Sequence, residues 1–171
     1  MNILSIFIGA LCIRLISLGI SIQHEKKLKA AGAKEYGKAN SLVLTLSHIL
    51  FYFLAITESM TMDKIINNYT TAGIVLFLFS MIALFVVIRQ LGNLWTVKLI
   101  IAPVHQVNQS FLFRMIRHPN YFLNVIPELI AIGLICQSWM VLVIGLPVYL
   151  IPLGIRIYQE ESMMRQHVKG Y

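Results

Sequence analysis

The sequence predicts an all-α bundle of membrane-spanning helices. Only 12% of the 171 residues are charged and 58% are hydrophobic, with a mean hydropathy of +0.77. An ordinary soluble domain carries about a quarter charged residues, and so little polar surface cannot cover a water-soluble globule. Long apolar runs recur at close to membrane length, and Lys and Arg collect in alternate connections between them. Together these observations predict a polytopic integral membrane helix bundle of about five spans. At about 20 residues per span, five spans and their connections use nearly all of residues 1–171, so the chain reads as a single domain.

The first run extends from about Ile3 to Ile22, the second from Leu42 to Ile56 and the third from Ala72 to Ile88. The fourth runs from about Tyr121 to Cys136 and the fifth from Met140 to about Ile157, with only the Gln137-Ser138-Trp139 break between them. All are near the length that crosses about 30 Å of hydrocarbon at roughly 1.5 Å per residue. The first run lacks a basic n-region and a small-residue cleavage site before the basic segment His24 to Lys38, so it is expected to persist as a helix.

Orientation follows from the cations. Lys26, Lys27, Lys29, Lys34 and Lys38 lie between spans one and two; Arg89, Lys98, Arg114 and Arg117 between three and four; Arg156, Arg165 and Lys169 at the C-terminal end. With five spans these three regions share a side, and the opposite side holds Lys64. The positive-inside rule makes the basic side cytoplasmic, with the N-terminus outside and the C-terminus inside, in what is expected to be a bacterial cell membrane.

Several function classes are disfavoured. The net charge of +7 sits beside spans and not along an aromatic-interleaved groove, so anionic membrane lipids are the expected partners and nucleic acid is not. Cys12 and Cys136 form no CxxC pair. His24, His48, His105, His118 and His167 show neither HExxH nor i,i+4 spacing, and no metal site is expected.

Function is therefore sought where polarity interrupts the apolar pattern. The stretch Arg89 to Glu128 contains Arg89-Gln90-Leu91-Gly92-Asn93-Leu94-Trp95, His105 and Arg114-Met115-Ile116-Arg117-His118-Pro119-Asn120-Tyr121. It is too hydrophobic for a solvated loop and is expected to fold back against the mouth of the bundle. Pro119 suits the first position of a helix, so the fourth span is expected to start at His118-Pro119, with free N–H groups that favour an anion. Tyr121, Asn124 and Glu128 then share a helical face, with Glu128 close to mid-membrane. An ionisable residue there faces the bundle interior or a water-filled cavity, and an interhelical hydrogen bond that locks packing is the plain alternative to a functional role. On the last span Arg156 and Glu160 are four residues apart. They can pair, grip a polar ligand together, or simply anchor the helix at the interface.

These motifs in order, Leu-Gly-x-x-Trp at 91–95, Arg-His-Pro-Asn-Tyr at 117–121, Glu128 and Arg-Ile-x-x-Glu-Glu at 156–161, resemble the isoprenylcysteine carboxyl methyltransferase family, in particular its small bacterial members. The resemblance covers about residues 89–165. It implies a membrane methyltransferase that uses S-adenosylmethionine in a helical, cytoplasmic-side pocket. By the resemblance, His105, His118, Pro119 and Tyr121 cradle the cofactor, Arg117 shapes the site and Glu128 joins the cofactor-binding group. Arg156 and Glu160 are the expected catalytic pair, holding the cofactor's polar end and orienting the methyl acceptor. Where the family often shows Gly-Pro-Tyr shortly before Arg-His-Pro, this chain has Phe111-Leu112-Phe113, which alters the cofactor lid or acceptor entrance.

Within the bacterial branch, acceptors include lipid-tailed ring compounds such as alkylpyrones and alkylresorcinols as well as carboxylates. The expected partner is therefore a lipid-like small molecule bearing a carboxylate or acidic hydroxyl. Two alternatives stand beside this reading. Membrane NADPH-dependent sterol reductases carry a similar Arg-His-x-Asn-Tyr but are much longer, and a non-enzymatic scaffold or transporter subunit leaves the ordered polar motifs without a role.

Overall fold

The computed structural model describes residues 2–101 and 116–167. Five helices account for most of it. Helix α1 spans Ile3–Ala30 and is capped by Asn2, whose side chain accepts from the Ser5 N–H at 2.9 Å. Its 28 residues make it about 42 Å long, so it outlasts the bilayer and carries Lys27 and Lys29 on its last turn, where cations complement the helix dipole. Helix α2 covers Lys38–Thr61 and α3 covers Asn68–Leu91, the latter capped by Asn67 and followed by a short 3-10 turn, Gly92–Leu94.

Helix α4, Asn120–Cys136, is π-helical over Asn120–Val125 and α-helical over Ile126–Cys136. Helix α5 begins as a π turn at Val141–Gly145 and continues as an α-helix over Leu146–His167. Both π turns end two residues before a proline, Pro127 and Pro147. A proline removes its own N–H and pushes on the carbonyl four residues back, and a local widening of the ladder is how a helix absorbs that insult without ending.

Among the described residues four helices are long and apolar enough to cross a membrane: α1, α2, α3 with its 3-10 turn, and α5 with its π turn. Helix α4 is apolar but shorter, and it sits inside the bundle, with Glu128, Leu129, Ala131, Ile132 and Cys136 all fully buried. Its main neighbour is α3. At their crossing a Cβ on Gly73 would lie 2.7 Å from the Ile135 nitrogen and 2.8 Å from the Ala131 oxygen, so only glycine lets the two backbones approach this closely. By contrast α1 and α2 pack sparsely on each other, which leaves a gap between them.

The two ends of the bundle differ in chemistry. At one end Gln137, in a left-handed conformation, terminates α4. Its side chain accepts from Asn67 Nδ2 at 2.9 Å and donates to the Ile65 carbonyl at 2.6 Å. Glu58 accepts from the backbone N–H groups of Met140 and Val141, both at 3.1 Å, and so caps the start of α5. The other end collects the basic segments. There a two-stranded antiparallel sheet pairs β1, Lys34–Tyr36, with β2, Leu99–Ile101, placing Lys34 opposite Ile101 and Tyr36 opposite Leu99. This sheet, together with the bonds of Val97 to Ser21 and Arg156, holds residues 95–101 of the segment after α3 against this end of the bundle; residues 102–115 of that stretch fall outside the described residues.

Candidate functional site

From this basic end a cavity of about 380 Å³ runs inward between α1, α2, α4 and α5. Several residues that line it, including Leu15, Leu18, Ile49 and Phe53, are also exposed on the outer surface of the bundle, Phe53 by 63%. The cavity therefore opens sideways through the gap between α1 and α2, toward the space that lipid fills.

At its basic end the cavity meets the sequence motifs. The Tyr121 hydroxyl donates to Glu160 Oε2 at 2.6 Å and accepts from Arg156 Nε at 3.3 Å. Arg156 and Glu160 are thus joined through a phenol, and among the described residues they form no direct ion pair. Arg156 is only 3% exposed and its guanidinium has other commitments: Nη1 donates to Ser41 Oγ at 2.7 Å and Nη2 to the Val97 carbonyl at 2.9 Å. These bonds tie α5 to the start of α2 and to the segment after α3. That segment is held in turn by α1, since Ser21 Oγ accepts from the Val97 N–H at 2.9 Å and His24 Nδ1 lies 2.9 Å from the Trp95 carbonyl.

His118 and Pro119 are buried. The His118 ring stacks on Tyr121, with centroids 5.8 Å apart, and presents Nδ1 to Glu160 at 3.7 Å and Nε2 to Glu161 at 3.4 Å. Burial opposes a charge on this imidazole, but the nearby carboxylates of Glu160 and Glu161 outweigh it and raise its pKa above the usual 6.5. Arg117 is largely exposed and sits 3.6 Å from Glu161.

The structure thus brings Arg117, His118, Pro119, Tyr121, Arg156 and Glu160 together. Glu128 lies elsewhere, fully buried, with Tyr52 Oη at 2.6 Å, Arg14 Nε at 3.1 Å and His48 Nε2 at 3.5 Å. His105 and Phe111-Leu112-Phe113 fall outside the described residues.

Three buried polar atoms on cavity residues, His48 Nε2, Trp95 Nε1 and Asn124 Oδ1, have no hydrogen-bond partner among the described residues. Buried polar groups are normally satisfied, so the unpaired donor of Trp95 and the unpaired acceptor of Asn124, both on residues that line the cavity, are points where a ligand gains contacts. Sequence reading passed over Arg14, Ser41, His48 and Tyr52 of this cavity. A usable signal was present: Arg14 is an ionisable residue in the middle of the first apolar run, and His48 and Tyr52 share a helical face four residues apart.

The model of the isoprenylcysteine carboxyl methyltransferase family matches residues 73–166. An uncharacterized protein of Haemophilus influenzae (strain ATCC 51907 / DSM 11121 / KW20 / Rd) is 50% identical over 158 residues, covering 92% of each chain. The uncharacterized protein YpbQ of Bacillus subtilis (strain 168) is 25% identical over 154 residues, covering 90% of this chain and 91% of the relative. No solved structure matches the chain significantly.

Proposed function

The chain belongs to the isoprenylcysteine carboxyl methyltransferase family, and from that premise we propose that it is an integral membrane O-methyltransferase. The methyl donor is S-adenosylmethionine, and the acceptor is the carboxylate or acidic hydroxyl of a lipid-like molecule. The observation that carries this reading is the single cavity in which the motif residues Tyr121 and Arg156 share walls with apolar side chains open to the lipid. A polar donor and an apolar acceptor can meet there without either crossing an unsuitable medium.

The residues present fit the donor. Its amino-acid end carries a carboxylate and an ammonium, which suit Arg156 and the Glu160/Glu161 pair respectively. Its ring nitrogens and hydroxyls suit the unpaired Trp95 Nε1 and Asn124 Oδ1. His118, Pro119, Tyr121 and, by resemblance, His105 would complete the cradle, with Arg117 holding Glu161 in place.

When bound, S-adenosylmethionine would supply an electrophilic methyl group to the acceptor oxygen, its sulfur leaving as a neutral thioether. An acceptor that arrives ionised loses no proton, and the two opposite charges cancel in the products. The protein's own tasks are to bind, to align oxygen and methyl, and to exclude water. Arg156 and Glu160, fixed relative to each other by the Tyr121 hydroxyl, are the groups that hold this alignment. For a neutral hydroxyl, Glu160 is the nearest base at the motif end. On the positive-inside rule this end of the bundle faces the cytoplasm, the compartment that supplies a water-soluble donor.

Titration of the purified protein with S-adenosylhomocysteine and, separately, NADPH tests the proposal by thermal shift, because a ligand of the folded state raises the melting temperature by mass action. Stabilisation by S-adenosylhomocysteine alone is expected. Stabilisation by NADPH alone would overturn it in favour of a reductase.

A further inference from the structure

A second polar constellation lies deeper in the bundle, away from the Tyr121–Arg156–Glu160 cluster, and is centred on the motif residue Glu128. Glu128 on α4 is fully buried and accepts from Tyr52 Oη at 2.6 Å, with Arg14 Nε at 3.1 Å and His48 Nε2 at 3.5 Å. The carboxylate itself does not line the cavity, but Arg14, His48 and Tyr52 do. Its negative charge is therefore answered on its own side, and the cavity meets the donor side of the cluster. A guanidinium has five N–H donors. Arg14 approaches Glu128 through Nε, its side chain keeps 18% of its surface accessible, and among the described residues Glu128 is the one carboxylate within ion-pair distance of it.

A cation so placed in a membrane span is costly unless it has work to do. Its surroundings say what would meet it: the adjoining wall is apolar, from Leu11, Leu15 and Leu18 on α1 and Ile49 and Phe53 on α2, and this is the wall that opens between α1 and α2. A molecule entering there has a hydrocarbon tail and presents its polar end to Arg14. We propose that Arg14, positioned by Glu128, binds the anionic headgroup oxygen of the lipid-like acceptor. Residues 14, 48 and 52 all precede the 73–166 region matched by the family model, so the ligand-facing side of this subsite comes from the part of the chain that the family model does not reach, while Glu128, which positions Arg14, lies within it. It deepens the methyltransferase reading and rests on it for the identity of the ligand as acceptor, while the binding itself can be measured without methyl transfer.

The contact selects acidic heads over neutral ones of equal tail length, because a charge-assisted bond in a site shielded from water is far stronger than its neutral counterpart. The test compares oleate with oleyl alcohol at alkaline pH, in neutral detergent, by thermal shift. In the unaltered protein oleate is expected to raise the melting temperature by at least about 3 °C more than oleyl alcohol does. Arg14→Gln alone strands Glu128 without its cation and is a poor folding risk. The decisive variant is Arg14→Gln together with Glu128→Gln, which leaves an amide pair and the same net charge, so nonspecific attraction of oleate to a basic protein is unchanged. The oleate advantage is expected to vanish in the double variant and to survive in Arg14→Lys. An undiminished advantage in the double variant would refute the assignment, as would equal stabilisation by both lipids in the unaltered protein. S-adenosylhomocysteine titration of the same samples separates the two ideas: its failure to bind speaks against the methyltransferase reading, and the oleate comparison still decides the role of Arg14.

Discussion

Tyr121 stands between Arg156 and Glu160, accepting from the one at 3.3 Å and donating to the other at 2.6 Å. The i,i+4 spacing on α5 suggests a direct pair, yet the guanidinium is turned toward Ser41 and Val97 and the phenol from α4 fills the space. Tyr121→Phe removes both bonds at little change in volume. Hydrogen bonds to charged groups are worth about 1.5–3 kcal/mol, and each 1.4 kcal/mol is about a factor of ten in affinity. S-adenosylhomocysteine is therefore expected to bind at least about tenfold more weakly to Tyr121→Phe. Calorimetric titration that finds unchanged affinity would remove Tyr121 from the cofactor site.

Arg156 and Glu160 are expected to differ in what their loss does. Arg156 holds three elements together, so Arg156→Ala lowers the melting temperature as well as turnover. Glu160→Gln keeps the shape and deletes only the charge; it is expected to insert, fold and lose most methyl transfer. The double change should cost turnover little beyond either alone, as groups acting as a unit do. Transfer of tritium from labelled S-adenosylmethionine to a lipid extract measures this, and near-normal activity in Glu160→Gln would show that the carboxylate is an anchor and nothing more.

His118 gives a pH dependence whose sign is fixed by its neighbours. Its folded-state pKa is raised by Glu160 and Glu161 against the opposing effect of burial. A raised pKa means that the imidazolium contributes stability fully below the ordinary value near 6.5, and that this contribution is lost as pH rises through the higher folded-state value. The melting temperature of the unaltered protein should accordingly exceed that of His118→Asn by most in mildly acid buffer, and the gap should narrow as pH climbs above 6.5. A gap independent of pH would mean that the ring acts by packing on Tyr121 alone.

Helices were legible in the sequence because a span must satisfy its backbone internally, which forces long uninterrupted apolar runs such as Ala72 to Ile88. The motif end of the site was legible for a different reason: Arg117, His118, Arg156 and Glu160 are polar residues at the edges of such runs. What stayed hidden depends on tertiary contact. Lys34-Glu35-Tyr36 carries no alternation that marks a strand, and it becomes one only because Leu99–Ile101 comes alongside. Arg14 is outvoted by its apolar neighbours in any average over the first run, and its partner Glu128 is more than a hundred residues away. Gly73 looks like any glycine in a span until α4 is laid against it. With Ile135 and Ala131 backbone atoms under 3 Å from a new Cβ, Gly73→Ala is expected to destabilise the bundle by about 1–3 kcal/mol, read as a lower melting temperature in detergent.

Sidedness combines the geometry with the charge pattern. The β1–β2 pairing joins the α1–α2 connection to the segment after α3, and the Arg156–Val97 and His118–Glu161 contacts bring the start of α4 and the last turns of α5 to the same end. All three basic segments therefore lie on one side whichever way the bundle is inserted, and the opposite end, closed by Asn67, Gln137 and Glu58, offers Lys64 as its cation. Anionic lipid and the insertion machinery favour Lys and Arg in the cytoplasm, which leads us to expect Lys34 inside and Met62 outside. Both residues are exposed and suit labelling. In a background with Cys12 and Cys136 replaced, a membrane-impermeant maleimide applied to intact cells is expected to modify Met62→Cys at once and Lys34→Cys only after the membrane is opened. The reverse pattern would invert the bundle and put the Tyr121–Glu160 site on the side away from the cell's soluble donors, so this one experiment bears on the topology and on the proposed chemistry together.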